Sequence, residues 1–245
     1  MIRAVAVMGT IVSIHVVDEG PAAVMGSADA REVMERAFHA FERVESHCSR
    51  FAPTSELRQV VARPGEAVPV SPVLFEAVRF ALAVAAASDG AFDPTVGAHL
   101  EAWGFDRDHR SGQQVASGLA VDAAVSWRDV QLDPRARSIR LARPLVLDLG
   151  AVAKGLAIDL AARELEAAQH FVIDAGGDLF FRGLSPDGDP WRVGIRHPRR
   201  DNDLAAMFAV RDQAVCTSAD DQRRNEAGWH HLVDPARGAP ADRLA

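Results

Sequence analysis

The apolar residues change period part-way along the chain, and that change limits the folds open to it. In the first hundred residues they recur at helical spacing. Val33, Met34, Ala37, Phe38, Phe41 and Val44 form one stripe within 30–47. Ser71-Pro72 reads as N-cap and first helical position of a second amphipathic helix, ending near Ser88-Asp89-Gly90. Pro94 to Trp103 is expected as a short third helix, and 107–118 as a polar surface loop. From Val130 the apolar runs become short and turn-bounded: 130–132, 139–141, 145–147, 171–173, 179–181, 191–195, 207–210 and 214–216. Two segments break the division: 11–17 alternates like a strand, and 152–168 is expected as a helix with Lys154 at its start. The expectation is an α+β fold in a single domain, 1–245. Helices of the N-terminal half would pack on a mostly antiparallel sheet drawn from the C-terminal half.

Composition narrows the function. A chain of 245 residues fits one large domain, since domains run to about 150 residues on average. A net charge of −7 argues against coating nucleic acid or an anionic membrane, which needs basic surface. The longest apolar run, 80–87, is far below the roughly 20 residues that span a bilayer, so no membrane insertion is expected. The first residues lack a signal-peptide pattern, and Cys48 and Cys216 form no CxxC pair. A cytoplasmic protein is expected. Lys154 is the chain's only lysine, so a position that needs an amine is expected there.

Common phosphate-loop, dinucleotide, zinc-protease and serine-hydrolase motifs are absent from the sequence. Four segments carry possible chemistry, each beside a plainer reading. In Asp148-Leu-Gly-Ala-Val-Ala-Lys154-Gly155 a strand end turns into a helix. Free N–H groups and a lysine at a helix start suit an anion, while Asp148 can equally be a cap and Lys154 a solvated surface residue. In Ile173-Asp-Ala-Gly-Gly-Asp178 two glycines allow close approach of a ligand, or simply a tight turn. In Gly90-Ala-Phe-Asp93-Pro-Thr-Val-Gly97, Asp93 can cap a helix, or the aromatics here and in Trp103-Gly-Phe105 can face a planar ligand. His230-His231-Leu-Val-Asp234-Pro offers a base or a pair of structural histidines.

Taken in order, these segments resemble the FAD:protein FMN transferases, the ApbE-like flavin transferases. Met8-Gly9-Thr10, Ser49-Arg-Phe51-Ala-Pro53-Thr-Ser55-Glu56, the Gly90–Gly97 segment with Trp103-Gly-Phe105, Asp148–Gly155 with Asp159, Ala175-Gly-Gly-Asp178, Thr217-Ser218 and His231–Pro235 follow that family's series. The resemblance covers nearly the whole chain. It implies a magnesium-dependent enzyme that cleaves the FAD pyrophosphate, attaches FMN to a Thr or Ser hydroxyl of an acceptor flavoprotein and releases AMP. Met8, Phe51, Ala91, Phe92, Asp93, Asp148 and Lys154 match FAD-contacting positions. The backbone carbonyl of Ala151 matches a Mg2+ ligand, and His231 matches a candidate base for the attacking hydroxyl.

The sequence departs from the family at three places. Arg237 stands where threonine is usual, Ala219 where glycine is usual, and a further Ala-Asp-x-x-x-Thr magnesium motif does not occur before Ala245. Ala241-Asp242 resembles only its start. The chain is therefore expected to be shortened at its C-terminus. Alternatives are a non-catalytic FAD-binding protein on the same fold, or an FAD pyrophosphatase without a protein acceptor.

Overall fold

Residues 2–16 fold into an antiparallel hairpin whose first strand the alternation pattern does not announce. The computed structural model describes residues 1–20, 22–109, 111–197, 200, 203–218, 224–225 and 227–241; Ala219 and Asp242 lie outside them. In chain order the elements are β1 (Ile2–Val7), β2 (Thr10–Val16), α1 (Ser27–Cys48), α2 (Glu56–Val61), β3 (Ala67–Pro69), α3 (Pro72–Ala87), α4 (Gly97–Ala102), β4 (Val130–Asp133) and β5 (Ser138–Leu141). They continue with α5 (Gly150–Glu164), β6 (Phe171–Ala175), β7 (Asp178–Arg182), β8 (Trp191–Arg196), β9 (Leu204–Val210), β10 (Gln213–Val215), β11 (Val233–Asp234) and β12 (Ala239–Pro240). The class is α+β, and every pairing between these strands is antiparallel. The residues cluster into two units, 1–43 with 154–219 and 44–153 with 220–245.

The first unit is built on a five-stranded sheet ordered β1-β2-β6-β7-β10, so the N-terminal hairpin joins strands of the C-terminal half. Cross-strand partners Arg3, Ile14, Ile173 and Phe180 share one face. Arg3 pairs with Glu35 and lies over the ring of Phe38, which sets α1 on that face. Val33, Met34, Ala37 and Phe38, the stripe read from the sequence, are buried. On the opposite face Val172, Leu179 and Phe181 pack with Trp191, Val193 and Val210 of the β8–β9 hairpin. Each fully buried large side chain such as Phe171, Ile14 or Met34 contributes about 1.5–3 kcal/mol of apolar transfer.

The second unit carries the sheet β3-β5-β4 and the helices α2, α3 and α4. Ser71 caps α3 through Leu74 N–H at 3.2 Å with Pro72 at its first position, as the sequence indicates. Two expectations change here. Asp93 does not cap a helix: α4 begins at Gly97, because the Asp93 carboxylate folds back onto Thr95 and holds 93–96 in a turn. Leu145–Leu147 is no strand but forms one parallel bridge, Val96 to Val146. Gly97 makes that approach possible, since a Cβ there would sit 2.6 Å from Val146 atoms.

Candidate functional site

In the second unit Arg50 gathers the early motif and the Asp148 motif. Its Nε donates to Asp148 Oδ2 at 2.6 Å, Nη2 donates to the carbonyl of Phe105, and the guanidinium lies 4.1 Å over the Phe51 ring. Arg50 is only 5% exposed and Asp148 18%. The remaining Arg50 nitrogen, Nη1, is buried with no acceptor among the described residues, which leaves a donor for a ligand. Asp148 also accepts the Gly150 N–H at 2.7 Å, so it caps the start of α5 as well as pairing with Arg50. Phe105 in turn meets the His231 ring edge-on at 6.4 Å. His230 is the structural member of the pair, buried, with its Nδ1 accepting from Leu232 N–H.

Asp93 is buried, accepting from the Thr95 N–H and hydroxyl through Oδ1 and from the Trp127 N–H through Oδ2. Phe92 is half-buried and Ala91 exposed. Ala91 lines an open groove of about 670 Å³ with Val233, Asp234, Pro235 and Arg237, which brings the Gly90 and His231 motifs to one surface. A smaller cleft of about 290 Å³ runs past Asp93, His99 and Trp127. Burial pushes the His99 imidazole below its ordinary value, favouring the neutral ring.

Met8 and Lys154 belong to the first unit. Met8 and Gly9 close the β1–β2 hairpin as a two-residue turn with φ of 53° and 74°. A methionine in the left-handed region is strained, a feature that concentrates at ligand-contacting sites. Gly176 and Gly177 close β6–β7 in the same way, with φ of 68° and 94°. A side chain on Gly176 would collide with Thr10 Oγ1, so glycine lets the two turns lie together. Lys154 is the fifth residue of α5, past its first turn, and its Nζ reaches Asp178 Oδ2 at 2.7 Å. Cys216 lies beside this pair, its thiol raised by burial and by the negative charge of Asp178.

Magnesium does not find a home among these groups. No group of three or more His, Cys, Asp or Glu side chains that could hold a metal ion occurs among the described residues. Ala151, whose carbonyl the family resemblance implies as a ligand, is exposed in the first turn of α5, and a single carbonyl is far short of the six oxygens that Mg2+ takes.

The sequence singled out Phe51, Asp93, Asp148, Lys154 and His231 but not Arg50 or Cys216, and it gave no partner for Lys154. Arg50 lay inside the Ser49-x-Phe51 motif, and nothing local distinguishes it from a surface arginine.

The α+β architecture is that of the ApbE flavin transferases among solved structures. Among solved structures, the ApbE protein of Thermotoga maritima aligns with a TM-score of 0.80 and 27% identity, covering 98% of this chain and 78% of that one. The flavin transferase ApbE of Vibrio cholerae shares the fold at a TM-score of 0.80 and 23% identity, over 99% of this chain and 78% of that one. The chain belongs to the ApbE family, whose sequence profile matches residues 8–245. Curated relatives named FAD:protein FMN transferase include that of Treponema pallidum (strain Nichols), 33% identical over 98% of this chain and 70% of the relative. The Salmonella typhimurium relative is 32% identical over 71% of this chain, which spans 53% of it, and the Rhodobacter capsulatus relative is 34% identical over 87% of this chain and 42% of the relative. These relatives are transferase enzymes by name.

Proposed function

We propose that this chain is an FAD:protein FMN transferase, read as one flavin-transferase domain over 1–245. The hydroxyl oxygen of a Thr or Ser on an acceptor flavoprotein attacks the FMN-side phosphorus of FAD. The bond from that phosphorus to the bridging oxygen breaks, AMP leaves with the bridging oxygen, and the hydroxyl proton passes to His231. The observation that carries this reading is that the only lysine of the chain presents its ammonium beside the paired glycine turn. An ammonium is a compact point charge suited to a pyrophosphate.

Phe51, Phe92 and Met8 supply apolar surface for the ring systems, and Asp93 and Asp148 fix their orientation. Ala91 borders the groove. Magnesium dependence, with the Ala151 carbonyl as a ligand, belongs to the proposal through the family resemblance alone, since the described residues do not complete a metal site. Two unpaired cysteines, Cys48 buried and Cys216 exposed, fit a reducing, cytoplasmic setting. No helix among the described residues is long and apolar enough to cross a membrane.

The test is incubation with FAD, magnesium and a threonine-bearing acceptor peptide, with and without EDTA. A mass gain of one FMN and equimolar AMP are expected. AMP and free FMN without adduct would mean a pyrophosphatase. Binding without AMP release would mean a non-catalytic FAD protein, and no FAD binding would end the flavin reading. Lys154→Ala is expected to weaken FAD binding at least about tenfold.

A further inference from the structure

The β6–β7 turn does not need Asp178. Its two glycines take the required positive φ, and Asp174 Oδ1 accepts the Gly177 N–H at 2.9 Å, so the loop closes on its own residues. Asp178 is the first residue of β7, opposite Ala175, on the sheet face it shares with Phe180. There Oδ2 lies 2.7 Å from Lys154 Nζ, with Asp178 19% and Lys154 33% exposed. A free lysine of that exposure spreads its ammonium over many rotamers, and fixing it costs side-chain entropy. The carboxylate fixes it in advance.

An ammonium has three donors, and the bond to Asp178 occupies one. Two remain for anionic oxygens. On the FAD reading above, we propose that Asp178 is a positioning residue that aims the Lys154 ammonium at the pyrophosphate while leaving those two donors available. Its own negative charge opposes binding of the diphosphate, so its contribution is to geometry in the transition state and not to ground-state affinity. That combination predicts a particular split: Asp178→Asn lowers kcat about tenfold and leaves KM for FAD unchanged or lower. Asp178→Glu, with the charge kept on a longer arm, recovers part of kcat. A role confined to folding would not separate the two constants in this direction.

The lone lysine gives a direct probe. Biosynthetic incorporation of lysine carrying 13C at Cε marks Lys154 alone and leaves its three ammonium donors intact, so a single lysine resonance reports on this pair. In the wild-type protein that resonance should shift on adding FAD. In Asp178→Asn it should start from the position of a freely rotating lysine and shift by less than half as much. A wild-type shift preserved in Asp178→Asn, unchanged kcat, or a rise in KM at constant kcat overturns the positioning role. If wild-type protein neither binds FAD nor shifts the resonance, the flavin reading itself fails and the role of Asp178 falls with it. If FAD binds without AMP release, the resonance alone decides.

Discussion

Arg50 Nε donates to Asp148 Oδ2 at 2.6 Å, and this bond joins two motifs 98 residues apart. The same guanidinium covers the Phe51 ring and holds the Phe105 carbonyl. Arg50→Ala leaves the Asp148 carboxylate without its counter-charge in a mostly buried place and removes the stack. The expected loss of stability is about 3 kcal/mol, read as a lower urea midpoint. Arg50→Lys keeps the charge but not the planar fork, and should fall between Arg50→Ala and wild type. A midpoint unchanged in Arg50→Ala would show that the pair does not hold the unit together.

Gly176 and Gly177 differ in what surrounds them. Both have positive φ, so alanine at either position is strained by about 1 kcal/mol. At Gly176 the new methyl also meets Thr10, whereas at Gly177 the nearest atom, Thr217 Oγ1, is 3.9 Å away. Gly176→Ala should therefore destabilise by about 2–3 kcal/mol and Gly177→Ala by about 1 kcal/mol. Adding Thr10→Ala to Gly176→Ala should return most of the difference in thermal denaturation.

The two cysteines should separate under alkylation. Burial pushes the Cys48 thiol up to about 12, so it stays unreactive in the folded protein. Cys216 is raised above its ordinary 9.0 by burial, then by Asp178, with Lys154 pulling the other way. Only the thiolate reacts, so Cys216 should react with iodoacetamide at pH 8 more slowly than a free thiol and faster as pH rises. Asp178→Asn removes the negative charge and should speed the reaction; Lys154→Ala should slow it. Peptide mass spectrometry after timed labelling checks all three.

His99 gives the second unit a pH dependence. Its folded value is depressed by burial below the ordinary 6.5. Between that folded value and 6.5 the unfolded chain holds more protons than the folded one, so stability falls as pH falls through this window. The contribution is fully present above 6.5 and absent below the folded value. His99→Asn should flatten this part of the stability–pH curve measured by urea unfolding between pH 4 and 8; an identical curve would remove His99 as its source.

Much of the local structure was legible in the sequence because local chemistry sets it. Ser71-Pro72 starts α3, the stripe from Val33 to Val44 lies in α1, and the glycine pair turns β6 into β7. Asp148, Lys154 and Phe51 stood out because their motifs are contiguous in the chain. Of the elements that went unread, α2, β3, β11 and β12 have too few residues to show a period, and β1 shows too little alternation to be read as a strand. Leu145–Leu147 is apolar enough for a strand, yet Pro144 has no N–H to give and only Val96 bridges to it.

The sequence by itself determined the α+β class, the Ser71 cap, the Gly176-Gly177 turn, the single amine and the family series, since each depends on residues close in the chain. Tertiary structure decided which charges meet. Arg50 with Asp148 and Lys154 with Asp178 are pairs made by folding distant segments side by side, and no local propensity encodes a partner. It also decided where the Asp93 carboxylate points: it receives Trp127 N–H from 34 residues away instead of opening a helix. Backbone preferences extend over a few residues, whereas ion pairs and buried hydrogen bonds depend only on distance in space.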